Sequence, residues 1–216
     1  MSMNFGREQA LLRQRLTEQG DEGRARELAE RFGPKIKCLG ARDEDMIQAA
    51  AELTEQFPEM GRAQMTAFAR TLWNSKTHEL RRVGAEILAL RAELLEPPDL
   101  PAIEAMLKES HDEDVTAKLA SDVLGRLVCK NKKLWKDLQK LAKSADEKLR
   151  RAAVLAAKAP CAMDGAVFDR FEKLVTPLLA DADEVLQRAI DEVLQAAADQ
   201  DADAVKAFAA AHGRKL

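Results

Sequence analysis

The residues of this chain best suited to chemistry are a tandem pair of carboxylates, Glu113 and Asp114, and a dense run of cations that begins a dozen residues later. Between Arg126 and Lys158 stand eleven basic residues: Arg126, Lys130, Lys132, Lys133, Lys136, Lys140, Lys143, Lys148, Arg150, Arg151 and Lys158. Only Asp137, Asp146 and Glu147 oppose them, a local excess of eight positive charges in a chain whose formal total is −3. Such a run can displace the counterions condensed on a nucleic-acid backbone; it can equally be the wet faces of two surface helices. Glu113 and Asp114 can stabilise a developing positive charge. They can also be first-turn residues favoured by the helix dipole, like Glu44, Glu147 and Glu184 at equivalent positions.

Other chemistries find little support. His78, His111 and His212 are scattered, and His78-Glu79 lacks the second histidine of a zincin motif. Cys38, Cys129 and Cys161 are odd in number and form no CxxC, which fits small buried side chains in a reducing compartment rather than zinc or disulfides. No glycine-rich loop follows a strand, so no nucleotide site and no cofactor are expected. Trp73 and Trp135 each lie in an apolar stripe and read as core anchors rather than stacking platforms.

The elements that must position these groups are helices. The chain has 216 residues, no Tyr, 46% hydrophobic and 33% charged residues, and is rich in side chains that lose little rotamer freedom in a helix. Leu80, Val83, Ile87, Leu90 and Leu94 form one stripe of a 3.6-residue helix, and Leu186, Ile190, Val193 and Ala197 form another. Breaks at Gly33-Pro34, Pro58 to Gly61, Asn74-Ser75, Pro97 to Pro101, Lys143-Ser144 and Pro160 to Gly165 separate the helices. An acidic beat recurs about every 35 residues, and its last positions, Gln48, Arg82, Ala117, Arg151 and Arg188, are 34, 35, 34 and 37 apart. That period is the mark of stacked helical hairpins, which bury their apolar faces only against neighbours. The expected architecture is all-α: a curved α-solenoid of HEAT-like hairpins, an armadillo-type superhelix, in a single domain over residues 1–216. Its pairs fall at 43–57 with 61–74, 77–95 with 99–109, 113–130 with 132–143, 146–159 with 164–180 and 183–198 with 201–212. Residues 4–31 add a helical cap, with a break at Gly20-Asp21 and Gly23.

Leu72-Trp73-Asn74-Ser75 with His78-Glu79-Leu80-Arg81-Arg82, Leu119 to Gly125, Leu149 to Leu155, Gln187-Arg188-Ala189-Ile190 with Val193-Leu194, and Lys35 to Gly40 together resemble the AlkD-like family of DNA alkylation-repair glycosylases. The resemblance runs from about residue 30 to the C-terminus and rests on the order and spacing of these segments. It implies a basic concave surface that cradles duplex DNA, and metal-free cleavage of the N-glycosidic bond of purines alkylated at N3 or N7. In that chemistry a carboxylate beside the sugar stabilises positive charge, two tryptophans flank it, and an arginine holds the backbone. Carried over residue by residue, the catalytic aspartate falls on Ala117, the tryptophans on Glu113 and Glu192, and the arginine on Arg151. The activity implied is therefore that of a 3-methyladenine-type DNA glycosylase with its carboxylate missing.

Two functional expectations follow, with a third behind them. The first is a DNA-binding relative with lost or weakened base excision, contacting duplex or branched DNA through Arg82, Arg150, Arg151, Arg188, Lys130, Lys132, Lys133, Lys136 and Lys140. The second is an active glycosylase with a rearranged carboxylate, Asp114 or Glu113; the third is a protein-interaction scaffold. If the arginines and the lysine block line one concavity, DNA is favoured; if the basic residues point outward, the scaffold gains. The chain is expected to be a monomer without bound metal, and cytoplasmic, because no apolar run approaches the roughly 20 residues that cross a bilayer and the start lacks a signal-peptide pattern.

Overall fold

The recurring acidic residues are capping chemistry. Asp146 accepts a hydrogen bond from the Lys148 amide (2.9 Å) and Asp183 from the Leu186 amide (2.7 Å), and a glutamate, Glu147 or Glu184, fills the first helical position after each. Asp21 and Asp201 cap in the same way, accepting from the Arg24 and Ala204 amides at 2.8 and 3.0 Å. Each cap satisfies an amide that the first turn leaves open, and the glutamate meets the positive end of the helix dipole.

The computed structural model describes residues 3–214, so the outermost two positions at each end of the expected 1–216 span lie outside it. The helices are α1 (Phe5–Glu18), α2 (Glu22–Phe32), α3 (Asp43–Gln56), α4 (Arg62–Asn74), α5 (His78–Leu90), α6 (Leu100–Glu109), α7 (Glu113–Ala117), α8 (Gly125–Lys130), α9 (Trp135–Leu141), α10 (Glu147–Leu155), α11 (Lys158–Met163), α12 (Phe168–Val175), α13 (Glu184–Ala198) and α14 (Ala202–Ala211). A π-helical segment, Lys118–Leu124, joins α7 to α8, and short 3₁₀ turns lead into α6, α9 and α12. Among the described residues no strand occurs, only an isolated bridge between Lys37 and Thr77. The protein is all-α, and the helix pairs lie within a few residues of their expected places.

The chain divides into two compact units. Unit 1 comprises the residues up to Leu95 together with His111–Val115. There α3 and α4 pack on α5, and α1 covers all three, around Leu16, Met46, Phe68, Leu72, Leu80 and Ile87. A buried carboxylate ties the connection between α2 and α3 to this core: Glu79 Oε1 accepts from the amides of Leu39 (2.9 Å) and Gly40 (2.8 Å). Gly40 has φ +82°, and a Cβ there would lie 2.1 Å from the carbonyl oxygen of Asp21, so glycine is required.

Unit 2 comprises Glu96–Ser110 and Thr116 onward. One row of helices runs from the π-segment and α8 through α10 and α11 to α13; α6, α9, α12 and α14 pack on it as a second row. Leu119, Leu124, Val154, Phe171, Ile190 and Leu194 fill the space between. Two details depart from the sequence reading. The break expected over Pro160 to Gly165 is present at Asp164, but an earlier one is added: α10 ends at Leu155, a turn follows, and Pro160 sits in the first turn of α11, where its missing N–H is not needed. The helix expected over 113–130 is continuous but carries the π-segment in its middle.

Candidate nucleic-acid interface

Ala117 is the last residue of α7, half-buried, and its methyl group offers neither charge nor hydrogen bond. The two carboxylates before it, Glu113 and Asp114, are exposed in the first turn of α7, behind Asp112, whose side chain accepts from the Asp114 amide (3.4 Å). The next residue, Lys118, pairs with Asp122 one turn further on, at 2.8 Å.

On α10 Glu147 is exposed and Arg151, one turn on, is half-buried with its Nε enclosed, while Leu149, Ala152, Ala153, Val154 and Leu155 enter the core; Lys158 opens α11. On α13 the corresponding outward stripe is Glu184, Arg188, Glu192 and Gln195, opposite Leu186, Ile190 and Val193. α10 and α13 pack together, with Arg151 half-buried on the first and Arg188 exposed on the second. Arg188 has its Nε 3.3 Å from the Glu184 carbonyl. Their surroundings are of mixed charge. Glu192, at the position of the second family tryptophan, meets Lys158 at 3.3 Å, and Asp191 meets Arg214 at 2.5 Å.

The other cations are disposed differently. Arg150 donates to the carbonyls of Ser144 (2.9 Å) and Ala145 (3.0 Å) and so clamps the loop before α10. Arg82, in unit 1, pairs with the buried Glu86 at 2.9 Å. Lys130 closes α8. Lys132 pairs with Asp164 at 3.2 Å, and Lys140 with Asp137 at 2.7 Å. Lys133, Lys136 and Lys140 ride on α9 and the turn before it, in the second row of helices, on the side away from α10. Within unit 2, then, Arg151 and Arg188 ride on α10 and α13, and the lysine block on α9 and the turns that flank it.

The sequence reading left the histidines scattered; in unit 1 two of them meet. His78 Nδ1 and His111 Nε2 are 3.1 Å apart, and His111 Nδ1 lies 3.3 Å from Arg81 Nη1. Arginine can only donate, so neutral His111 accepts at Nδ1, carries its proton on Nε2 and passes a hydrogen bond to His78. Phe32 stacks at 4.8 Å from the His78 ring and edge-on at 4.7 Å from His111. Asp112 lies 4.0 Å from His78 and 3.8 Å from Arg31, and burial raises its carboxyl above the usual range, with the Asp114 charge adding to this. Burial likewise lowers the His78 pKa. Nothing in the spacing of residues 78 and 111 announced this cluster. Trp73 and Trp135 are both buried, and Arg81 lies over the Trp73 ring at 4.6 Å.

Among the described residues no group of His, Cys, Asp and Glu could hold a metal ion, and no helix is long and apolar enough to cross a membrane. A family model described as DNA alkylation repair enzyme matches residues 12–216. Among solved structures the chain is similar to one titled "Predicted DNA alkylation repair enzyme from Enterococcus faecalis", with a TM-score of 0.72, 11% identity and coverage of 88% of each chain. At that identity the likeness is one of fold. No curated protein matches.

Proposed function

Because the chain belongs to the family of DNA alkylation repair enzymes, we propose that it is a DNA-binding HEAT-like repeat protein in which base excision is lost or strongly weakened. The observation that carries this reading is Ala117. Departure of an alkylated purine leaves an oxocarbenium-like sugar, and a fixed anion beside it lowers that barrier. An alanine methyl supplies none of this, and loss of one such electrostatic group costs about 10²–10³ in rate. Glu113 and Glu192 stand where the resemblance puts apolar aromatic walls, so packing against base and sugar is lost as well. Arg151 and Arg188 remain as backbone contacts on α10 and α13.

The test is release of N3- or N7-alkylpurine from duplex DNA. The expected result is release at the spontaneous rate, unchanged in Asp114→Ala and raised in Ala117→Asp. Release by the unaltered protein that disappears in Asp114→Ala or Glu113→Ala would replace this reading with that of an active glycosylase. Duplex binding should fall steeply with salt. Arg151→Gln with Arg188→Gln should flatten the slope of log K against log salt by about 2, at roughly 0.9 per phosphate contact. Binding insensitive to both salt and these arginines would favour a protein-interaction scaffold.

A further inference from the structure

The lysines on α9 and the turns that flank it form a surface of their own. Lys133, Lys136, Lys140 and Lys143 follow one another at intervals of three, four and three, the spacing of a single helical stripe. All four are exposed, while Leu134, Trp135, Leu138, Leu141 and Ala142, on the other side of the same segment, are buried. The stripe covers ten residues, or about 15 Å at the helical rise. A duplex strand presents a phosphate every 3.4 Å along its axis, so that length faces about four phosphates, one per lysine. Two carboxylates act on it: Asp137, engaged with Lys140 at 2.7 Å, and Glu104, whose charge also reaches Lys140.

We infer that this lysine stripe is a second polyanion-binding surface, on which the protein holds a second stretch of nucleic-acid backbone, separate from the one at Arg151 and Arg188. The chemistry favours a nucleic-acid backbone over a protein. Protein interfaces are depleted in lysine and anchored by aromatic, Met and Arg side chains, and the stripe carries none of these. It also lacks a large exposed apolar side chain that could enter a lipid surface. A row of ammonium groups on flexible stems reads charge and spacing, not sequence. The two sets of cations stand on different helices of unit 2: the apolar side of α9 meets α10, which leaves the lysine stripe on the side of α9 turned from it, while Arg151 belongs to α10 and Arg188 to α13. One chain can therefore bridge two duplexes, or two arms of a branched one; the bridging rests on the function proposed above, whereas the lysine surface does not.

The test uses the full chain, a short immobilised duplex and a second, fluorescent duplex. The unaltered protein should retain the fluorescent duplex. A variant carrying Lys133→Gln, Lys136→Gln, Lys140→Gln and Lys143→Gln should stay on the immobilised duplex but recover at least tenfold less of the fluorescent one, with an unchanged melting temperature. Undiminished recovery by that variant would overturn the second surface while leaving the arginine assignment intact; bridging by self-association would give this result. If the lysine variant loses all binding and Arg151→Gln with Arg188→Gln loses none, the lysine surface stands and the arginine assignment falls. Failure of the unaltered protein to retain any duplex overturns both.

Discussion

His78 and His111 must agree on one proton arrangement. With Arg81 donating to His111, and His111 to His78, a proton added to His78 Nδ1 would set two donors against each other at 3.1 Å. Burial is the main cause that lowers the His78 pKa; the charges of Arg82 and Arg24 act the same way, while Glu79 and Asp43 oppose them. The unfolded chain takes up this proton near pH 6.5 and the folded chain only at lower pH, so the stabilisation is complete above 6.5 and is lost as pH falls from there to the depressed folded value. Asp112 acts in the opposite sense: the cost of its buried charge is present above its raised pKa and is relieved as pH falls through it. We expect urea midpoints to drop on acidification below pH 6.5 and the drop to shrink in His78→Gln. An identical acid profile in both proteins would refute the assignment. Glu79 gives a second test. Glu79→Ala strips the acceptor from two amides beside Gly40 and should cost about 2–4 kcal/mol, whereas Glu79→Gln keeps an oxygen there and should cost less than half as much by chemical denaturation.

Helices were legible because their signals are local. Caps such as Asp146 and Asp183, and stripes such as Leu186, Ile190 and Val193, act within two turns, and the structure places the helix pairs within a few residues of their expected bounds. What was missed at this scale was the turn at Ala156 and Ala157, which ends α10 early and leaves Pro160 in the first turn of α11, where its N–H is not needed. The π-segment at Lys118–Leu124 was invisible because it depends on partners far along the chain: the Ser121 hydroxyl reaches the Leu155 carbonyl at 3.4 Å, and α8 begins with Gly125 held against Ala156. A Cβ on Gly125 would come within 2.9 Å of the Ala156 carbonyl oxygen, a backbone atom that cannot swing aside. Gly125→Ala is therefore expected to destabilise the protein by about 1–3 kcal/mol in spite of its better helix propensity, as overpacking does. A rise in melting temperature would show that the approach of α8 to α10 relaxes freely.

At the scale of the molecule the net charge of −3 says little about binding, because the run from Arg126 to Lys158 carries a local excess of eight positive charges within unit 2. The resemblance pointed to Ala117 and Arg151; that the Lys133–Lys143 stripe rides on α9 and Arg151 on α10, which pack together, could not be read from sequence, because it depends on which row each helix joins. The division into units was equally hidden, since unit 1 recruits His111–Val115 from beyond α6, a contact order that no local pattern encodes. Among the groups that hold that segment are His111 against His78, Arg81 and Phe32, and Asp112 beside His78 and Arg31. Removing His111 deletes the hydrogen bonds with Arg81 and His78 and the aromatic edge on Phe32, about 2–3 kcal/mol of local stability, or roughly 30- to 150-fold in the opening equilibrium. In His111→Ala, amide exchange at residues 111–115 should accelerate by that factor, while α10 and α13, whose cores of Leu155 and Ile190 lie wholly in unit 2, keep their protection. Equal loss of protection in α10 and α13 would mean that the units open as one body. Unchanged exchange at 111–115 would mean that the histidine cluster does not hold the segment at all.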